Sequence, residues 1–207
     1  MQIGGWKLTP GLFAGIGLLL LMMGSCEEDN TRMVYQLNEP DTLSSEVYQV
    51  YSEMIQARFP DQQYIVIRQE TDTAVNRPFC RELMKADSVD LSESTVSQYL
   101  FRNQELKNLG YYFDIQPEIK LITGEELNSY ESWNSFHDKH PDGEGVMILN
   151  MPGFNDDKSG ALFEYSWLTG DDRAGHYMVY LKYQSADWNL VAHEKIENNS
   201  TDHPPAI

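Results

Sequence analysis

Cysteine is nearly absent: the chain carries only Cys26 and Cys80. If either is consumed by modification, no intramolecular disulfide can form, and the fold must be held by its core. Basic residues are also scarce, with 15 lysines and arginines against 32 aspartates and glutamates, a formal net charge of −17. Nucleic-acid binding needs a basic footprint, so that class is excluded. Electrostatic adhesion to anionic lipid is excluded on the same ground. No apolar run reaches the roughly 20 residues that a hydrocarbon core requires. The sequence holds no G-x-S-x-G elbow, no H-E-x-x-H, no P-loop and no dinucleotide fingerprint. Internal repeats are lacking too.

The N-terminus is distinctive. Met1 to Pro10 carries one side-chain charge, Lys7, and Gly11 to Met23 is an unbroken apolar run. Its length of about 13 residues suits the h-region of a cleaved signal and is too short for a span. A buried core helix of that length would show a polar face, and this one has none. Leu21-Met22-Met23-Gly24-Ser25-Cys26 resembles the lipobox of bacterial lipoproteins, with small residues at the two positions before the cysteine. That resemblance implies cleavage after residue 25 and acyl chains on Cys26. Two or more chains anchor firmly, at about 0.8 kcal/mol per buried methylene. Loss of Lys7 with the signal takes the net charge from −17 to −18.

Glu27-Glu28-Asp29-Asn30 follows the cysteine and resembles the surface-export signal of Bacteroidetes lipoproteins. Asp41-Thr42-Leu43, Asp72-Thr73-Ala74 and Asp87-Ser88-Val89 resemble an O-glycosylation motif of the same lineage. These resemblances imply an outer-membrane, outward-facing lipoprotein. With Cys26 acylated, Cys80 is the last thiol, read as a small buried hydrophobe and not a nucleophile.

Beyond the signal, residues 26–43 are polar and acidic and read as a flexible tether. Residues 44–197 read as one α+β domain, and 198–207 as a frayed tail. Val47, Val50, Tyr51, Met54 and Ile55 recur at helical spacing in a helix stopped by Pro60. Tyr64–Ile67 and Glu118–Thr123 read as strands. Pro78–Ala86 is a short helix, and a further helix runs from Leu91, capped by Asp90 or Ser92, to Gly110. Another is expected from Gly124 to His140, with Leu127, Tyr130, Trp133 and Phe136 inward. Four strand-like runs, 145–151, 160–168, 176–183 and 188–194, separated by turn clusters, predict an antiparallel meander with helices on one face.

Between Trp133 and Trp188 the chain is similar to a family of uncharacterised bacterial proteins. The matching positions include Trp133, Phe136, Pro141, Gly145-Val-Met-Ile148, Gly153-Phe-Asn155, Ala161-Leu162, Tyr165, Gly170, Gly175-His-Tyr177, Leu181-Lys182 and Trp188. Asn150-Met-Pro152 stands where relatives often place Ser before the Gly-Phe-Asn step. The resemblance implies a single αββββ core, compatible with a cystatin-like or nuclear-transport-factor-like fold, and carries no activity with it.

Chemistry-bearing residues are scattered. His137 and His140, three apart with Asp138 between them, have the spacing of a metal-sharing pair, with Asp142 or Glu144 as oxygen donors. Pro141 ends the helix there, however, and histidine near a helix C-terminus is favoured without metal. Asn155-Asp156-Asp157 and Asp171-Asp172 are acidic but lack EF-hand spacing, and turn chemistry accounts for them. Neither a metal nor a cofactor is expected. Tyr165, Trp167 and Tyr177 offer stacking surface, although about half of such residues on alternating strands belong to the core. The expectation is a lipid-anchored binding or accessory module, with a protein or glycan partner. One alternative is a small cell-envelope hydrolase gathering two or more of His137, His140, Asp156, His176 and Glu194. Another is an immunity-like protein whose acidic surface masks a basic toxin.

Overall fold

The computed structural model describes residues 34–85, 89–171 and 173–196. The signal, Cys26, the acidic cluster after it, Ser88, Asp172 and the 198–207 tail lie outside those residues. No helix among the described residues is long and apolar enough to cross a membrane.

The elements run α1 (Ser45–Arg58), β1 (Tyr64–Arg68), α2 (Arg77–Leu83), α3 (Glu93–Arg102), β2 (Glu118–Ile122), α4 (Gly124–Asn128), α5 (Trp133–Lys139), β3 (Val146–Leu149), β4 (Gly153–Phe154), β5 (Gly160–Leu168), β6 (Gly175–Gln184) and β7 (Asp187–Lys195). The seven strands form one sheet in the order β2-β1-β3-β5-β6-β7, with β4 paired to β5. The fold is α+β. The expected meander is present as β5-β6-β7, antiparallel throughout.

The sheet as a whole is mixed and not antiparallel, because β1 pairs parallel to both β2 and β3. Helices also lie on both faces instead of one. Tyr51 of α1 meets Phe163 edge-on at 5.2 Å, on the face that also carries Tyr165 and Trp167. On the opposite face, Leu127, Tyr130 and Phe136 of the α4–α5 region pack with Val66, Val146, Ile148 and Leu168. Cys80 of α2 meets Met178 there, sulfur to sulfur at 4.0 Å. The physical reason is legible in the strands: β3 reads Val-Met-Ile-Leu, apolar on both faces, as parallel strands buried on both sides usually are. A cystatin-like or nuclear-transport-factor-like arrangement with a single helical layer does not describe this sheet.

Two helices differ from expectation. The helix that begins after Ser92 ends at Arg102 and does not reach Gly110. Asn103 ends it by donating from Nδ2 to the Tyr99 and Met151 carbonyls, while its Oδ1 accepts from Met151 N–H. The helix expected over 124–140 is two, because Ser132 and Ser135 form a reciprocal capping box that starts α5 afresh. α3 packs so closely on β4 that a Cβ on Gly153 would sit 2.1 Å from Tyr99 N, so only glycine fits. The β6–β7 turn is Ser185-Ala186, both at positive φ (57° and 69°).

The segment from Tyr35 to Leu43, assigned by composition to the tether, lies against the domain. Asn38 N–H donates to Gln69 Oε1, and Gln69 Nε2 returns a bond to the Asn38 carbonyl, each at 2.8 Å. Asp41 N–H donates to the Asn108 carbonyl, and Asn108 N–H donates to Asp41 Oδ2. Leu37 and Leu43 pack against the main core. Polar composition concealed this because the attachment uses hydrogen bonds to distant residues and two isolated leucines, not an apolar run.

Candidate functional site

One face of the antiparallel half of the sheet opens into a cleft of about 280 Å³. Its floor follows from strand register. Tyr165 of β5 stands directly opposite Tyr177 of β6, and His193 of β7 lies diagonal to Tyr177, on the same face. The three rings cluster: Tyr165 and Tyr177 stack at 5.0 Å, and Tyr177 and His193 at 4.8 Å. Trp167, two residues after Tyr165, leans on Phe59 at 5.0 Å. The end of α1 and the turn after it, Arg58 to Gln62, form one wall; Glu144 and Arg173 form the other.

Tyr165 Oη and His193 Nε2 are 2.8 Å apart. Burial pushes the Tyr165 hydroxyl well above its ordinary value, so it stays protonated beside the imidazole. Burial and then the nearby Arg58 charge hold His193 down to about 4, leaving the imidazole neutral at neutral pH. Arg173 is occupied: its guanidinium contacts Glu144 at 2.5 Å and Asp171 at 2.8 Å. Arg58 has no carboxylate within 4.0 Å among the described residues, although its charge reaches both Tyr165 and His193.

The other face of β5, with β6, carries a second polar pair, whose carboxylate is sealed while the imidazole keeps 22% of its side chain exposed. The Glu164 side chain is fully buried, its Oε1 accepts from Asn76 N–H at 2.8 Å, and its Oε2 lies 2.8 Å from His176 Nε2. The Tyr99 hydroxyl and the Cys80 thiol lie nearby; burial and the Glu164 charge push the thiol up to about 12. A thiol so placed is inert as a nucleophile at neutral pH.

The other residues singled out in the sequence have structural partners or stand apart. His140 is buried with Nδ1 3.2 Å from Tyr64 Oη and Nε2 2.9 Å from Tyr130 Oη, so both ring nitrogens are used within the fold. His137 points to solvent from the last turn of α5. The spacing that invited a shared metal therefore divides into one core histidine and one surface histidine. Among the described residues, no group of three or more His, Cys, Asp or Glu is placed to hold a metal ion. Asp157 Oδ1 accepts from Ser159 N–H and Oγ, and Asp171 from Thr169 and Arg173, as turn residues do. Thr42 and Thr73 are exposed, and Asp72 caps its own turn through Thr73 N–H and Ala74 N–H. No two of His137, His140, Asp156, His176 and Glu194 line the same one of the four principal clefts among the described residues.

Tyr165, Trp167 and Tyr177, named from the sequence as stacking residues, do come together in one place. Arg58 and His193 complete it and were not singled out. Arg58 reads as an ordinary cation in a helix's last turn, and His193 joins the face only through the β6–β7 register. Comparison with family models, curated proteins and solved structures finds no match.

Proposed function

We propose that the protein is an outer-membrane lipoprotein held through acylated Cys26, and that its domain is a binding module using the Tyr165–Tyr177–His193 cleft. The observation that carries this is the open aromatic cleft itself, a concave site with a few convergent polar groups. Its chemistry favours binding over turnover. A general acid or base should titrate near the working pH, and His193, at about 4 with Nε2 already engaged by the Tyr165 hydroxyl, does not. Glu144 is engaged by Arg173. The hydrolase alternative lacks a gathered set of acids and histidines, and the immunity-like alternative rests on net charge alone.

Two experiments test the two halves. Replacing Cys26 with Ala should abolish acyl labelling and membrane fractionation; unchanged labelling refutes the anchor. A small-molecule screen on the mature lipoprotein, read by thermal shift, should yield ligands whose effect disappears in Tyr177→Ala. Hits indifferent to Tyr177→Ala, together with turnover by the purified protein, would sink the cleft as a binding site.

A further inference from the structure

We infer that the cleft takes a sugar ring bearing a carboxylate, a uronic-acid-type ligand, with Arg58 as the anchor for the anion; this rests on the cleft being the binding site.

Size comes first. About 280 Å³ lies at the small end of ligand pockets, which run roughly 300–1,000 Å³, and admits a single ring with its substituents. The walls then choose the kind of ring. Phe59 and Tyr177 are half-buried, so each presents part of its ring to the cleft. Between them stand donors and acceptors of both kinds: Arg58, Asp61, Gln62 and Glu144. A flat aryl ligand satisfies the aromatic surface but offers no partner to Arg58, Asp61 or Gln62, which costs binding energy for each one desolvated. A pyranose matches both, with an apolar C–H face against the rings and hydroxyls directed to the carboxylates and the amide.

Charge selects the substituent. Two basic side chains, Arg58 and Arg173, line the cleft. Arg173 is bracketed by Glu144 and Asp171, whereas Arg58 faces the cleft with no described carboxylate in reach. Its position in the last turn of α1 is favourable to any cation, and the Tyr165 hydroxyl takes up part of its donor capacity, but no carboxylate within 4.0 Å among the described residues occupies the guanidinium fork. A guanidinium and a carboxylate fit each other through two parallel bonds, a geometry that lysine cannot reproduce. The neutral His193 beside it adds no second positive charge and leaves the anion to Arg58.

Calorimetric titration of the mature lipoprotein in detergent with D-glucuronate, D-glucose and phenylacetate separates the elements of this inference. Glucuronate should bind at least about tenfold more tightly than either of the others, in proportion to one charge-assisted contact. Arg58→Gln should bring glucuronate down to the glucose level, and Arg58→Lys should recover only part. Arg58 is exposed, so neither variant threatens folding. Equal binding of glucose and glucuronate, both lost in Tyr177→Ala, overturns the anion and leaves the cleft reading standing. Phenylacetate equal to glucuronate overturns the sugar ring. Full glucuronate affinity in Arg58→Gln overturns the anchor. Absence of binding by all three overturns the ligand class, while the unbiased screen decides separately whether the cleft binds anything.

Discussion

Strands β5, β6 and β7 carry two histidine pairs on opposite faces, and the pairs behave in opposite ways. On one face Tyr165 is hydrogen-bonded to a neutral His193 at the edge of an open cleft. On the other, Glu164 meets His176 beneath α2 and α3, with its carboxyl fully enclosed. Tyr165 and Glu164 are neighbours in sequence, as are Tyr177 and His176, so the alternation of a strand alone separates a site from a structural pin. The lesson is that a polar pair's role here follows from what covers it. The sealed pair contributes to holding α2 on the sheet, through the Asn76 N–H bond. The open pair is left with a face to offer.

The comparison can be broken most forcefully on the sealed side. His176→Ala should cost about 3 kcal/mol in chemical denaturation, the low end for breaking a buried pair from one side. Replacing both partners with Glu164→Met and His176→Leu should recover most of that loss. A single-variant loss under about 0.5 kcal/mol, the range of an ordinary surface change, would show that the pair is no pin.

The open pair should reveal itself through acid. His193 is depressed from 6.5 to about 4, so between those values the unfolded chain binds a proton that the folded chain refuses. The associated stability is fully present above pH 6.5 and is lost as pH falls toward 4. Each pKa unit is worth about 1.4 kcal/mol, and the partial exposure of the ring reduces the total to about 2 kcal/mol. Wild type should therefore lose about that much more than His193→Gln across this window in pH-dependent denaturation. Parallel curves would remove the contrast between the two histidines. Next in size is Tyr165→Phe, which deletes one hydrogen bond and should cost about 1 kcal/mol. The smallest effect on stability belongs to Arg58→Gln, within about 0.5 kcal/mol as for other exposed positions. The same variant should raise the His193 pKa, followed by imidazole NMR, because a neighbouring positive charge has been removed.

Much of the fold could be read before any coordinates. The apolar spacing of α1 and the run of β5 carried their own boundaries, and Ser92 was one of two capping candidates that the structure resolves. What escaped reading depended on distant partners. The stop at Asn103 requires the Met151 backbone, 48 residues on, so no local pattern marks it. The break at Ser132 was local, a Ser-x-x-Ser box that the longer apolar period obscured. In the cleft, aromatic residues on alternating positions were visible as a set. His193 and Arg58 were not, since one needs the register of β7 and the other needs the end of a helix to fall beside a particular strand.

The docking of Asn38 and Asp41 onto Gln69 and Asn108 has a consequence for the reach of the molecule. Were all of residues 26–43 a loose leash, the domain would roam well clear of the bilayer. With the chain fastened from Tyr35 onward, eight residues, Glu27 to Val34, separate it from Cys26. At 3.3–3.6 Å per residue, that leash extends at most about 30 Å. If Cys26 is acylated as proposed, Tyr35 stands no farther than that from the lipid-bearing residue. On the proposed anchoring and binding role, a domain moored this closely meets its ligand at the bilayer surface and not in the open medium.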